Sequence, residues 1–293
     1  MIQLTEPQKQ ENQTYNHWQT HFQDRVVLVT GGSSGIGYGI AEKFVQAGAI
    51  VVVMGTNEER GWQAERALEK LAPDSHQRAL FIHGDVTSSE DLERVITYID
   101  ERFGQLDVVV CSAGIGRKAT LLETTLEDLD RLYRVNVQGA VMTVKTAAKL
   151  LQRSEGSVVL ISSDAGILGE SHAGAYSVTK AAVNMAGKML ALDLAVHGVR
   201  VNIVAPGDIA PGMRSMLNVG ETVRPKDDYL SWSVPPVGRY GNAADVAGTV
   251  LFLASPEASF ITGSILLVDG GMRAGFPTDI TTAIPNERGI KHA

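Results

Sequence analysis

One octapeptide constrains this chain more than any other feature. Thr30-Gly31-Gly32-Ser33-Ser34-Gly35-Ile36-Gly37 follows the apolar run Val26-Val27-Leu28-Val29 and precedes a stretch with helical spacing. Glycines permit a sharp strand-to-helix turn and let a ligand approach the backbone, while the free N–H groups and positive end of the helix stabilise an anion. A plain strand-to-helix loop also accepts glycine, so the turn needs company before it means a phosphate site.

The company is a regular beat of short strands and longer helical stretches from about Arg25 to Gly271. Ile50 to Val53, Leu80 to Ile82, Val108 to Val110, Val158 to Ile161, Val201 to Val204 and Ile265 to Val268 are brief runs rich in β-branched residues. They read as buried parallel strands, apolar on both faces. Helical spacing fills Gly35 to Ala47, Glu58 to Leu71, Ser89 to Phe103, Thr125 to Arg153, Ala173 to Val196 and Ala243 to Ala254. The expected fold is α/β: one doubly wound Rossmann-type domain, a seven-stranded parallel sheet flanked by helices. The domain spans residues 25–271, with an N-terminal extension at 1–24 and a C-terminal extension at 272–293.

With 44% hydrophobic and 20% charged residues, the 293-residue chain has the composition of a globular protein and not of a disordered, collagenous or coiled-coil one. A net charge of -7, spread along the chain, argues against nucleic acid or an anionic membrane as the partner and for a small molecule. The single cysteine, Cys111, allows no intrachain disulfide. The first 24 residues lack the basic and apolar regions of a signal peptide, and no apolar run reaches a membrane-spanning length, so a cytoplasmic location is expected. The histidines read as scattered without ligand spacing, and no metal is expected.

Tyr176 and Lys180 lie four apart at the start of a helical stretch and so share one helix face. Ser163 closes the strand Val158 to Ile161, at the carboxyl edge where open α/β sheets place their ligands. A lone Tyr-x-x-x-Lys means little. With the glycine turn upstream and Ser163 thirteen residues earlier, three polar groups converge on one crevice.

At these positions the chain resembles the short-chain dehydrogenase/reductase family, in its short single-domain branch. The resemblance runs from Arg25 to Gly271 and includes the glycine turn, Asp85-Val86, Ala113-Gly114, Asn136, Ser163, Tyr176, Lys180, Pro206-Gly207 and Asp269-Gly270-Gly271. It implies an NAD(P)(H)-dependent oxidoreductase moving hydride between nicotinamide and a carbonyl or secondary alcohol. Asn136, Ser163, Tyr176 and Lys180 would be the catalytic tetrad. Tyr176 would serve as general acid/base, Lys180 would hold the nicotinamide ribose, Ser163 the substrate oxygen, and Asn136 a water that relays protons. A neighbouring cation is expected to lower the tyrosine pKa. The cofactor would contact Gly31, Ser33, Ser34, Gly35, Ile36, Gly37, Thr56, Asn57, Asp85, Val86, Ala113, Gly114, Tyr176, Lys180, Pro206, Gly207 and Ile209.

Several residues depart from the family pattern. Cys111 and Ser112 stand where it has paired asparagines, and Pro211 stands near its usual threonine. Asp164 and His172 are polar where many relatives are apolar, either as substrate contacts or as exposed loop residues. After the second strand, Met54-Gly55-Thr56-Asn57 carries no acid to bind adenosine ribose hydroxyls, which favours NADP(H) while leaving NAD(H) possible. The leading reading is an NADPH-dependent ketoreductase. The alternatives are an NAD-dependent secondary alcohol dehydrogenase and a non-catalytic dinucleotide-binding protein; an epimerase of the extended branch would need a different glycine spacing. Residues 208–237, with Met213, Met216, Leu217, Tyr229 and Trp232, suggest a substrate lid. Arg117 and Lys118 either draw an anionic substrate or are simply solvated. Small and apolar residues on the helical stretches Thr125 to Arg153 and Ala173 to Val196, with Phe276, Ile280 and Ile284 in the tail, suggest a homotetramer.

Overall fold

The computed structural model describes residues 17–72, 77–210 and 235–275. The segment proposed as a lid lies outside the described residues except at its ends, as do Pro211 and the tail beyond Gly275. A seven-stranded sheet has the order β3-β2-β1-β4-β5-β6-β7, with every neighbouring pair parallel. Its strands are β1 (Val26–Thr30), β2 (Ile50–Gly55), β3 (Ala79–His83), β4 (Val108–Cys111), β5 (Ser157–Ile161), β6 (Arg200–Pro206) and β7 (Ile265–Val268). Chain order reverses at β1, which lies between β2 and β4, so a crevice opens above the carboxyl ends of β1 and β4.

Side-chain alternation divides the core between the two faces. Val27, Val29, Val51 and Val53 point to one side, against α2 (Gly35–Gln46) and α8 (Ala243–Ala254). Val26, Leu28, Val52 and Met54 point to the other, against α4 (Ser89–Phe103), α6 (Gly139–Ser154) and α7 (Gly174–Ala195). Continuous β-branched runs suit strands buried on both faces, whereas an alternating polar pattern would leave charge in one of these layers. Gly39 sits against Ala243, where a side chain would collide, and lets α2 and α8 approach closely.

The structure departs from the sequence reading in two elements. The single helix expected over Thr125 to Arg153 is divided into α5 (Leu126–Tyr133), a π turn (Arg134–Gln138) and α6. Gly139 N–H donates to the Arg134 carbonyl, the five-residue spacing of a widened turn. This turn carries Asn136 inward, where its amide bonds to loop backbone. Residues 17–22, within the segment read as an extension, are helical (α1), and Phe22 is 2% exposed in the core. Its ring meets Phe44 edge to face at 5.0 Å.

Candidate active site

The glycine turn is shaped for close contact. Gly31 has φ +68, and a Cβ there would lie 2.7 Å from the Ala113 Cα; Gly37 faces the Gly31 carbonyl with no room for a side chain. Gly35, at φ +56, faces open space. The α2 N-terminus differs from its neighbours. Asn57, Ser88, Thr125 and Asn242 cap α3 (Glu58–Glu69), α4, α5 and α8 with side-chain hydrogen bonds, and each of those helices has acid in its first turn. Ser34 makes no such bond and α2 has no acid there, so its positive end is left for a ligand anion. An open cradle at an uncapped helix end fits a dinucleotide pyrophosphate.

The other expected cofactor contacts lie at or just after the ends of β2, β3, β4 and β6. Asp85 sits at the end of β3, where its Oδ1 accepts from Thr87 N–H, and Val86 packs against Gly139. Thr56 is exposed after β2, and Asn57 is occupied in capping α3. Gly207 N–H donates to the Val268 carbonyl, and Ile209 bridges to Gly241. Without the paired asparagines, the turn after β4 is held by backbone: Ser112 N–H donates to the Thr30 carbonyl and Ala113 N–H to Thr30 Oγ1. Cys111 is buried, and burial pushes its thiol up to about 12, so it is an inert packing residue.

The structure brings Asn136, Ser163, Tyr176 and Lys180 together above β4 and β5. Lys180, 5% exposed, donates from Nζ to the Ile161 carbonyl at 2.8 Å and lies 5.6 Å from the Tyr176 ring centre. A Cβ on Gly114 would lie 3.6 Å from Lys180 Nζ and 3.4 Å from Asn136 Oδ1. Tyr176 is hydrogen-bonded to Ser163. Asn136 donates from Nδ2 to the Ile115 carbonyl and to Thr179 Oγ1, both at 3.0 Å, and accepts from Ile115 N–H at 2.8 Å. Its side chain therefore clamps the loop after β4 onto α7, and both amide protons are committed.

The electrostatics run opposite to expectation at the tyrosine. Burial pushes Tyr176 up to about 12, assisted by the Asp164 and Glu170 charges, and the Ser163 hydrogen bond only partly offsets this. Burial also brings Lys180 down to about 8. Before cofactor binds, desolvation thus outweighs the mutual help that the Tyr-x-x-x-Lys spacing suggests.

Asp164 is buried rather than loop-exposed. Its Oδ1 accepts from Ser163 Oγ at 3.2 Å, and its Oδ2 pairs with Arg273 Nε at 3.0 Å. Arg273 was not singled out in the sequence, and no motif marks it. Asp269, which closes β7, accepts from Arg273 N–H at 2.7 Å and aims that side chain at the site. His172 is exposed with φ 62. Arg117 pairs with Asp128 at 2.8 Å, which gives that cation a structural partner. The histidine reading also needs correction, because His17 and His21 are one helical turn apart and share a face beside Glu257. The four-residue spacing of His17 and His21 is itself legible in the sequence of the N-terminal extension.

Together the parallel fold, the anion cradle and the buried Ser, Tyr and Lys cluster define a dinucleotide-dependent oxidoreductase that interconverts alcohol and carbonyl groups. The family model described as enoyl-(acyl carrier protein) reductase matches residues 31–273. L-fucose dehydrogenase of Mus musculus is 41% identical over 259 residues, covering 88% of this chain and 91% of that protein. L-rhamnose-1-dehydrogenase of Scheffersomyces stipitis is 34% identical, covering 85% and 95%. The 3-oxoacyl-[acyl-carrier-protein] reductase of Aquifex aeolicus is 36% identical, covering 85% and 98%. The chain belongs to the short-chain dehydrogenase/reductase family.

Proposed function

We propose that this protein is an NADP(H)-linked dehydrogenase of polyhydroxylated substrates, sugars or sugar-like alcohols, acting at one secondary or anomeric hydroxyl. The observation that carries the substrate class is Asp164, a buried carboxylate next to Ser163 in a position suited to accept hydrogen bonds from a second hydroxyl of a polyol. Each Asp164 oxygen keeps acceptor capacity beyond its bond to Ser163 or Arg273, so a second substrate hydroxyl placed there gains a charged hydrogen bond that a monohydric alcohol cannot make. Two of the relatives above are named for oxidising sugars.

The α2 N-terminus with Gly31, Ser33, Ser34, Gly35, Ile36 and Gly37 would hold the pyrophosphate. Asp85 and Val86 would flank the adenine, while Ala113, Gly114, Pro206, Gly207 and Ile209 would line the nicotinamide side. The bound oxidised nicotinamide supplies a hydride acceptor and a positive charge. Lys180 keeps two N–H donors beyond its bond to Ile161, enough for ribose hydroxyls. Ser163 Oγ would turn its one proton from Asp164 Oδ1 to the substrate oxygen, and Tyr176 Oη takes the hydroxyl proton as the carbon gives up hydride and the C=O bond forms. In reduction the same proton returns from Tyr176. With its amide protons committed, Asn136 positions Ile115 and Thr179 and would reach a relay water only through its remaining acceptors.

NADP(H) is favoured by Gly55, Thr56 and Asn57, none of which repels a 2′-phosphate, although Glu58 and Glu59 of α3 stand near. A second reading, the NADPH-dependent ketoreductase, is favoured by that same Gly-Thr pair and by the reductase relative. Initial rates on aldoses, simple secondary alcohols and β-keto esters with NAD(H) and NADP(H) separate the two. The proposal expects kcat/KM at least ~10-fold higher for the best aldose than for any monohydric alcohol, the reverse being the mark of the ketoreductase.

The exposed face of α7 supports self-association. Val144 and Ala147 of α6 turn into the core, but Met185, Met189 and Leu192 of α7 remain at the surface. A homotetramer that pairs these helices would cover them.

A further inference from the structure

Far from the catalytic crevice, at the opposite edge of the sheet, two short elements bring three metal-ligating side chains together. The α1 helix precedes β1 and presents His17 and His21, one turn apart. The 3₁₀ turn Pro256–Ala258 follows α8 and presents Glu257. One donor atom from each lies within 4.8 Å of the other two. Glu257 Oε1 is 2.7 Å from His17 Nε2 and 3.6 Å from His21 Nε2.

Both platforms are rigid. Trp18 packs against the core and Phe22 is embedded in it, which fixes α1. The Glu257 turn is capped by Ser255 Oγ, and Arg200 at the start of β6 donates to the carbonyls of Leu253, Ala254, Ser255 and Ala258. Neither backbone has to reorganise to bring its ligands together, which lowers the entropic cost of capture.

His21 marks this cluster as more than a surface ion pair. Its Nε2 is shielded from solvent and has no hydrogen-bond partner, and 3.6 Å to Glu257 is too long for one. A shielded imidazole nitrogen that faces a carboxylate at 3.6 Å without a hydrogen bond is an arrangement that a cation between the two would satisfy. Ligands at about 2.0–2.2 Å around a tetrahedral ion lie about 3.3–3.6 Å apart, so the 3.6 Å separation already suits an ion and the 2.7 Å one must open. His17 and Glu257 are exposed and can shift to meet this spacing, and His21 is the fixed ligand.

We propose that His17, His21 and Glu257 bind one divalent borderline-soft transition-metal ion, of which zinc is the type, with water in the fourth position. Two imidazoles and one carboxylate suit this class, whereas magnesium and calcium need more oxygen ligands. The ion joins α1 to the turn after α8 and clips that helix onto the domain. Because it lies at the amino edge of the strands, it takes no part in hydride transfer. The inference is independent of the substrate proposed above.

The test uses tag-free full-length protein stripped with chelator, titrated with zinc chloride by calorimetry and with cobalt(II) by visible absorption. The expected result is one equivalent bound in the micromolar range or tighter, with the intense visible bands of tetrahedral cobalt. His17→Gln, His21→Gln and Glu257→Gln should each weaken binding at least ~10-fold, and His197→Gln, at an exposed histidine elsewhere, should not. Zinc should raise the thermal midpoint of the wild type and leave that of Glu257→Gln unchanged, by mass action on the folded state. His17→Gln and Glu257→Gln alter exposed side chains, so they keep the test valid if His21→Gln fails to fold. No one-equivalent binding by the wild type, or unchanged binding by both surface variants, overturns the site.

Discussion

Arg273 Nε lies 3.0 Å from Asp164 Oδ2, so the residue beside Ser163 is tied to the segment that leaves β7. The pair is largely buried, and its geometry leaves Asp164 hydrogen-bonded on both oxygens within the site. Burial holds the Asp164 carboxyl above the usual carboxylate range, and Arg273 is the largest influence pulling it back.

Removing that cation should therefore move Asp164 further up. Arg273→Gln is expected to shift the acid limb of the kcat/KM profile to higher pH, because more of the carboxyl is protonated at a given pH. Asp164→Asn, which keeps the shape and removes the charge, should raise KM for the best polyol by ~10-fold or more, the size expected for one charged hydrogen bond. Steady-state kinetics from pH 5 to 9 measure both. An unchanged acid limb and unchanged KM would remove Asp164 from substrate recognition.

The buried lysine gives a stability prediction. Lys180 has its folded pKa lowered to about 8 from 10.5, so between those values the unfolded chain binds more protons and stability rises with pH. Below pH 8 both states carry the proton and the slope vanishes. Tyr176 is raised to about 12 from 10.0, so its own effect is a loss of stability that begins only above pH 10. Relative to Lys180→Met, the cofactor-free wild type should thus gain about 2 kcal/mol between pH 8 and 9.5, at 1.36 kcal/mol per pH unit. Urea unfolding at the two pH values checks it, and parallel behaviour of the two proteins would contradict it.

Cofactor choice depends on the end of β2. Thr56→Asp should weaken NADP(H) at least ~10-fold by repelling the 2′-phosphate and should strengthen NAD(H) through the ribose hydroxyls. Fluorescence titration of both reduced cofactors reads it. Tighter binding of NAD(H) than NADP(H) by the wild type would overturn the preference.

Assembly should respond to the exposed face of α7. Leu192 is 69% exposed, and Leu192→Glu combined with Met189→Lys places charge on the apolar stripe without touching the core. Light scattering is expected to show a tetramer for the wild type and a smaller species for the double variant. A monomeric wild type at micromolar concentration would contradict the packing of these helices between copies.

Much of this molecule is readable from local pattern. The runs Val26 to Val29, Ile50 to Val53 and Val158 to Ile161 are strands because β-branched residues buried on both faces suit little else. The Tyr176 and Lys180 spacing on a helix, with Ser163 at a strand end, was enough to bring the three together. Features that depend on distant contacts were not readable. The π turn at Asn136 arises from bonds to Ile115, which no helical periodicity encodes. Arg273 reaches Asp164 across more than a hundred residues, through the turn that Asp269 organises. Phe22 joins the core because Phe44 offers a ring face, although its polar neighbours suggest a loose extension. Tyr176 shifts upward because burial dominates, and the Tyr-x-x-x-Lys spacing reveals the cation but not the desolvation.

The central claim is that Tyr176 Oη carries the proton that accompanies hydride transfer, and single-turnover kinetics test it most directly. Wild type and Tyr176→Phe, each saturated with oxidised cofactor, are mixed with the best substrate, and the rise of reduced-nicotinamide absorbance is followed against pH. The account predicts a wild-type rate that climbs with pH to a plateau, and for Tyr176→Phe a rate lower by at least ~100-fold with that pH dependence lost and cofactor affinity nearly unchanged. A Tyr176→Phe rate within a few-fold of wild type, with the same pH profile, would contradict it.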